Sequence, residues 1–232
     1  MKKTLLTMAA LVVLAAGAQG QVLNGTYDFS GGGNDVTSFN YNGSALTNAS
    51  ASAITKVGIT SSSSSNNYRG SNWSTGALDS GKYISFTLTA DDDFVLNLTS
   101  ITFGVGRSGT GPLNWEWRSS VDGFGSAITT YTTVNAGLTE TSGVLTNPDS
   151  NSSWTGNVLN LSGASFQGLS AVTFRLYAYG AEASGGTGGL QGNLSFAGSV
   201  AAAVPEPTAA MLLGGAGMML WVLRRKRSAV LS

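Results

Sequence analysis

The stretch KYISFTLTA, from Lys82 to Ala90, sets Ile84, Phe86 and Leu88 on one side of an extended chain and Tyr83, Ser85, Thr87 and Thr89 on the other. Strict alternation has the period of a strand with one face in a core and the other toward water. It excludes a helix, whose apolar residues recur every three or four positions. The next segment, DFVLNLTSITFGVG, adds a condition. Phe94, Leu96 and Leu98 are in phase, but Ile101, Phe103 and Val105 have the opposite parity, so a bulge or tight bend at Thr99–Ser100 is needed to keep both triplets on one face. A chain built this way must bury one side of a sheet against another layer.

Further on, in RSGTGPLNWEWRSSVDGFG, a Gly/Pro loop from Ser108 to Leu113 separates the strand ending near Arg107 from one over Asn114 to Ser120, which predicts a hairpin with a wide turn. Other strands are expected at Gly25 to Phe29, Ala53 to Ile59, Ala127 to Val134, Asn157 to Leu161, Ala171 to Gly180 and Leu190 to Val200. About nine to eleven strands at such spacing predict two packed antiparallel sheets, a mainly β sandwich. Gly, Ser, Thr and Asn dominate the middle of the chain, and only Pro112 and Pro148 interrupt it before the tail, a composition suited to short strands and tight turns. The low-complexity runs Ser61 to Asn67 and Ala183 to Gly189 read as exposed loops, and no fixed repeat is present.

The two ends are of another kind. Lys2 and Lys3 precede an apolar stretch from Leu5 to Ala16 and a run of small residues, the plan of a secretory signal peptide with a helical core. Its cleavage can follow Ala18 or Gly20, and residues 1–20 are taken as the signal. With no cysteine in the chain, both a lipidated N-terminal thiol and disulfides are excluded. Residues 21–203 then form one exported domain, enough for a single substantial core. Residues 204–232 form the tail: Pro205-Glu206-Pro207, an uncharged run from Thr208 to Leu223, and the basic cluster Arg224, Arg225, Lys226 and Arg227. A helix over 208–223 is about 24 Å long. This is slightly short for a ~30 Å hydrocarbon core, so it spans with snorkelling flanks or local thinning. The basic cluster supplies a cytoplasmic stop, consistent with one transmembrane helix and an exported domain. Pro205 and Pro207 keep the triplet extended, as a protease substrate must be.

This order of triplet, Gly-interrupted apolar helix and Arg-rich end, behind a signal peptide, resembles the PEP-CTERM sorting signal of exported proteins in exopolysaccharide-producing Gram-negative bacteria. The resemblance implies that an exosortase, a membrane-embedded cysteine protease, recognises Pro205, Glu206 and Pro207 and removes the helix. It also implies a route through the general secretion machinery, a membrane-anchored precursor, and a destination in the cell envelope or extracellular matrix. The blocks GKYISFTLTADDDFVLNLTSITFGVGRSGTGPLNWEWRSSVDGF and SAVTFRLYAYGAEASGGTGG are similar to the ectodomain of many PEP-CTERM proteins, which implies a jelly-roll-like sandwich. In place of the Asp-containing strand that usually ends such domains, this chain has LQGNLSFAGSV, Leu190 to Val200.

Little in the middle speaks for catalysis. Histidine is absent, which removes the commonest general base and zinc ligand and makes a Ser-His-Asp triad impossible. Between the ends, six basic residues (Lys56, Arg69, Lys82, Arg107, Arg118, Arg175) face eleven acidic ones from Asp28 to Glu182, which argues against nucleic acid as a partner. A glycosidase would need two spaced carboxyls, and Glu116, between Trp115 and Trp117, has that reading beside a plainer one, an outward charge paired with Arg118. Asp91, Asp92 and Asp93 offer clustered oxygens to calcium, or simply a solvated turn. Arg175, Tyr177 and Tyr179 share one face of AVTFRLYAYG and make the candidate glycan contact, or pack under a loop. Trp73 and Trp154 are further candidates, whereas Trp115 and Trp117 are assigned to the core. The expectation is a non-enzymatic exported protein without a cofactor, structural or adhesive among exopolysaccharides. The alternative is a carbohydrate-binding module with a defined glycan.

Overall fold

The computed structural model describes residues 20–30, 35–62 and 65–203. Within them the chain forms β1 (Gln21–Tyr27), β2 (Ser38–Phe39), β3 (Ala49–Ala51), β4 (Ile54–Val57), β5 (Thr60–Ser62), β6 (Asn67–Ser71), β7 (Tyr83–Ala90) and β8 (Phe94–Arg107). It continues through β9 (Asn114–Ser119), β10 (Tyr131–Thr133), β11 (Thr139–Thr141), β12 (Val144–Thr146), β13 (Ser153–Asn160), β14 (Ala171–Tyr179), β15 (Gly188–Gln191) and β16 (Leu194–Ala202). All pairings between these strands are antiparallel and fall into two sheets.

The alternation that opened the sequence becomes β7, with Ile84, Phe86 and Leu88 buried and Ser85 and Thr87 half-buried on the opposite face. The out-of-phase triplets of β8 are reconciled as expected. Leu98 lies opposite Gly198 of β16 and Ser100 opposite Ala197, so Thr99 is one extra residue, bulged and exposed. Leu96, Leu98, Ile101, Phe103 and Val105 consequently all reach the core. Gly198 faces this bulge because a Cβ there would collide with the Asn97 carbonyl.

The long strand β8 organises the first sheet. One of its edges pairs with β13, which pairs with β10. Along the other edge run β15 and β16, end to end. β6 and then β5 continue outward from β15, and β1 from β16. β1 and β16 are paired along their length, from Gln21 opposite Val200 to Tyr27 opposite Leu194. The second sheet runs β11-β12-β9-β14-β7-β4-β2, with β3 beside β4 on the edge of β7.

The inner faces meet through aromatic rings. Tyr27 and Phe196 of the first sheet lie 5.6 and 6.3 Å from Phe86 of the second, and Phe103 lies edge-on to Trp117 at 5.5 Å. Such rings bury the largest apolar areas in the core, and their tilted pairs add to what burial alone contributes. Gly25 makes room for Phe196, whose ring occupies the space a β1 side chain would need.

Several expectations are corrected. β8 and β9 do not form a hairpin: β9 pairs with β12 and β14, so Ser108 to Leu113 carries the chain from one sheet to the other. The reason is packing, since Trp115 and Trp117 must face β8 across the core rather than lie beside it. Leu190 to Val200 is two strands, β15 and β16, separated by a corner at Gly192, where φ is +59°. The serine-rich run is not all loop, because Ser61 and Ser62 belong to β5 and Asn67 opens β6. The helix expected in the signal and the transmembrane helix over 208–223 lie outside the described residues. Among the described residues no helix is long and apolar enough to cross a membrane.

Candidate functional site and sorting tail

On β14 the two faces separate cleanly. Val172, Phe174, Leu176 and Ala178 enter the core, and Arg175, Tyr177 and Tyr179 lie on the outer face. The strand runs between β7 and β9, which places Tyr177 opposite both Tyr83 and Glu116, and Arg175 opposite both Ser85 and Arg118. The structure therefore gathers the expected row with four further side chains: Tyr83, Glu116, Arg118 and Phe124.

Arg175 is clamped between two rings, its guanidinium carbon 3.7 Å from the centroid of Phe124 and 4.3 Å from that of Tyr83. Its Nη1 donates to the Tyr177 hydroxyl at 3.3 Å, while its buried Nε has no partner. Tyr177 is only 2% exposed and meets Tyr83 edge-on at 5.5 Å, so its ring offers no open face. Tyr179 donates its hydroxyl proton to Glu116 Oε2 at 3.2 Å. Burial first, and then the charge of Glu116, push the Tyr179 phenol up to about 12.

Glu116 also accepts from Arg118 Nε at 2.6 Å. The expected pairing with Arg118 is present on the outer face, but the carboxylate is covered rather than solvated: it is 4% exposed beneath the surrounding tyrosines and arginine. Arg118 in turn donates from Nη1 to the carbonyls of Phe124 and Gly125, at 3.0 and 3.3 Å. These bonds hold the loop that lays Phe124 over Arg175. Phe124 adopts φ +63°, a left-handed conformation costly for a bulky residue. Chemically, the arrangement is a cation–aromatic surface with one internally neutralised carboxylate.

The remaining candidates are dispersed. Glu140 accepts from the Gly143 N–H at 2.6 Å, and Glu182 pairs with the buried Arg107 at 2.5 Å. Asp91, Asp92 and Asp93 are exposed on the turn that carries the chain from β7 to β8, with Phe94 N–H donating to the Asp91 carbonyl at 3.1 Å. Among the described residues no three acidic side chains are grouped so as to hold a metal ion. Trp73 is core rather than surface: it is 1% exposed, meets Trp115 edge-on, and donates its indole N–H to the Gly70 and Gly188 carbonyls. Trp154 is half-buried, with its ring against Gly137 and its N–H on Asn147 Oδ1 at 3.1 Å. Trp115 and Trp117 are fully buried, as assigned. Phe124 was missed; the only signal was an aromatic residue between two glycines in a turn, in DGFG.

Together, the sandwich and the charged, Pro-bearing end define a class: a mainly β antiparallel protein that carries a C-terminal address. The address is identified by comparison, since the family model described as the PEP-CTERM protein-sorting motif matches residues 203–227. Neither the curated proteins nor the solved structures gave a match. The signal implies export, recognition by an exosortase and processing at the membrane. Pro205, Glu206 and Pro207 and the cluster Arg224, Arg225, Lys226 and Arg227 fall within the matched stretch and outside the described residues.

Proposed function

We propose that the sandwich is a non-catalytic structural or adhesive domain of the cell envelope or extracellular matrix of a Gram-negative bacterium, working among exopolysaccharides. The observation that carries this reading is the commitment of the three glutamates among the described residues. Glu116 is tied to Arg118 and Tyr179, Glu182 to Arg107, and Glu140 to a backbone N–H, so each is spent on holding the fold. The sorting signal supplies the route, and the domain's polar, cysteine-free surface suits a hydrated matrix. On this reading calcium is not required.

Fractionation of producing cells tests the location: the protein is expected with envelope or matrix polysaccharide rather than in the cytoplasm. Incubation with polysaccharides is expected to release no reducing sugar. Sugar release that disappears in Glu116→Gln would overturn the non-catalytic reading. The alternative, a carbohydrate-binding module using the Arg175–Tyr179 face, is favoured by the aromatic clamp on Arg175.

A further inference from the structure

The outer face of the first sheet carries a groove of about 590 Å³, on the opposite side of the molecule's core from Arg175. Its floor is a polar grid. Thr26 of β1, Ser195 of β16 and Thr102 of β8 stand side by side across three strands. A second row, Asn24, Ala197 and Ser100, runs parallel to it. Thr26 and Ser195 share a hydroxyl–hydroxyl bond of 2.9 Å, whereas the side chains of Asn24, Ser100 and Thr102 have no hydrogen-bond partner among the described residues. Among the described residues the only ionisable group lining the groove is Asp28, whose carboxyl is lowered by hydrogen bonds from Ser30.

We propose that this groove binds a neutral polysaccharide, with the sugar chain lying across the strands from Thr102 over Ser195 to Thr26. Adjacent strands are ~4.8 Å apart, close to the advance of one pyranose unit along an extended chain. Each sugar therefore meets one strand's hydroxyl or amide. Hydroxyls and amides both donate and accept, which matches the ligand's own hydroxyls. Among the described residues the lining contains no cation to attract uronates or sulfates, and ionised Asp28 repels them. Among the described lining residues Phe196 is the one aromatic, and it is buried, so recognition is by hydrogen bonds.

The proposal deepens the adhesive reading and rests on it. Its test is calorimetric titration of the full chain, in detergent micelles, with cellohexaose, isomaltohexaose and mannohexaose, and with hexagalacturonate as the anionic probe. At least one neutral probe is expected to bind saturably. The double variant Thr102→Val, Ser100→Ala is expected to bind it about tenfold more weakly, with unchanged thermal unfolding, while Arg175→Gln binds as the parent does. Undiminished binding by the double variant overturns the groove; if Arg175→Gln loses it instead, the adhesive reading stands on the other sheet. Binding of hexagalacturonate alone overturns the neutral ligand class. No binding of any neutral probe overturns the groove outright, and the fractionation above then decides the adhesive reading separately.

Discussion

At the scale of residues, the tyrosines and one lysine give this protein an unusual dependence on alkaline pH. Burial raises the phenols of Tyr27, Tyr68 and Tyr131 well above their ordinary value, and that of Tyr179 to about 12. Burial lowers the Lys56 ammonium to about 8. Between about pH 8 and 10 the folded protein sheds the Lys56 proton while the unfolded chain keeps it, so stability rises with pH. Above about pH 10 the unfolded chain loses phenolic protons that the folded state retains, and stability falls. Urea midpoints across this range should therefore peak near pH 10, and phenolate absorbance above it should jump on unfolding. A midpoint still rising beyond pH 11 would contradict this assignment of the tyrosines. The Arg175, Tyr177, Tyr179 row could be read from period-two alternation alone. Phe124 could not, because its position depends on a left-handed turn and on hydrogen bonds from Arg118, neither of which leaves a pattern in sequence. Trp73 misled for a related reason: its polar flanks, Ser71-Asn72 and Ser74-Thr75, gave no hint that two backbone carbonyls hold its indole inside.

Among elements, β8 carries the strongest constraint, because a single bulged residue sets the phase of two hydrophobic triplets. Deleting Thr99 should turn one triplet toward water. Exposing two buried leucines and half-burying their neighbours forfeits about 4 kcal/mol or more, a large share of a typical 5–15 kcal/mol total. The deletion is expected to abolish the cooperative urea transition, whereas Thr99→Ser should leave it nearly unchanged; a cooperative deletion variant of normal midpoint would show that the bulge is dispensable. This bulge was legible because both triplets are long enough to declare their parity. Pairing partners were not. The segment after Arg107 announces a turn and a strand, but whether that strand returns beside β8 or crosses to the other sheet is decided by where Trp115 and Trp117 find a core. Short strands such as β11 and β12, three residues each, are also too brief to show a period.

For the whole molecule, the sorting signal makes a prediction about covalent structure. Protein recovered from outside producing cells should have lost both the signal and everything beyond about Pro207, as read by intact mass. Recovery of a mass that includes Trp221 and the Arg224 to Arg227 cluster would instead mean a retained anchor. The pairing of Gln21 with Val200 also bears on when the domain can form. β16 is the last strand of the sandwich in sequence, yet it is inserted between β1 and β8, two strands that precede it. β1 emerges first and, among the described strands, has no sheet partner until the chain's far end arrives. Completion of the sheet is thus timed by the passage of the final strand across the membrane, and an interrupted translocation leaves an open seam in the sheet.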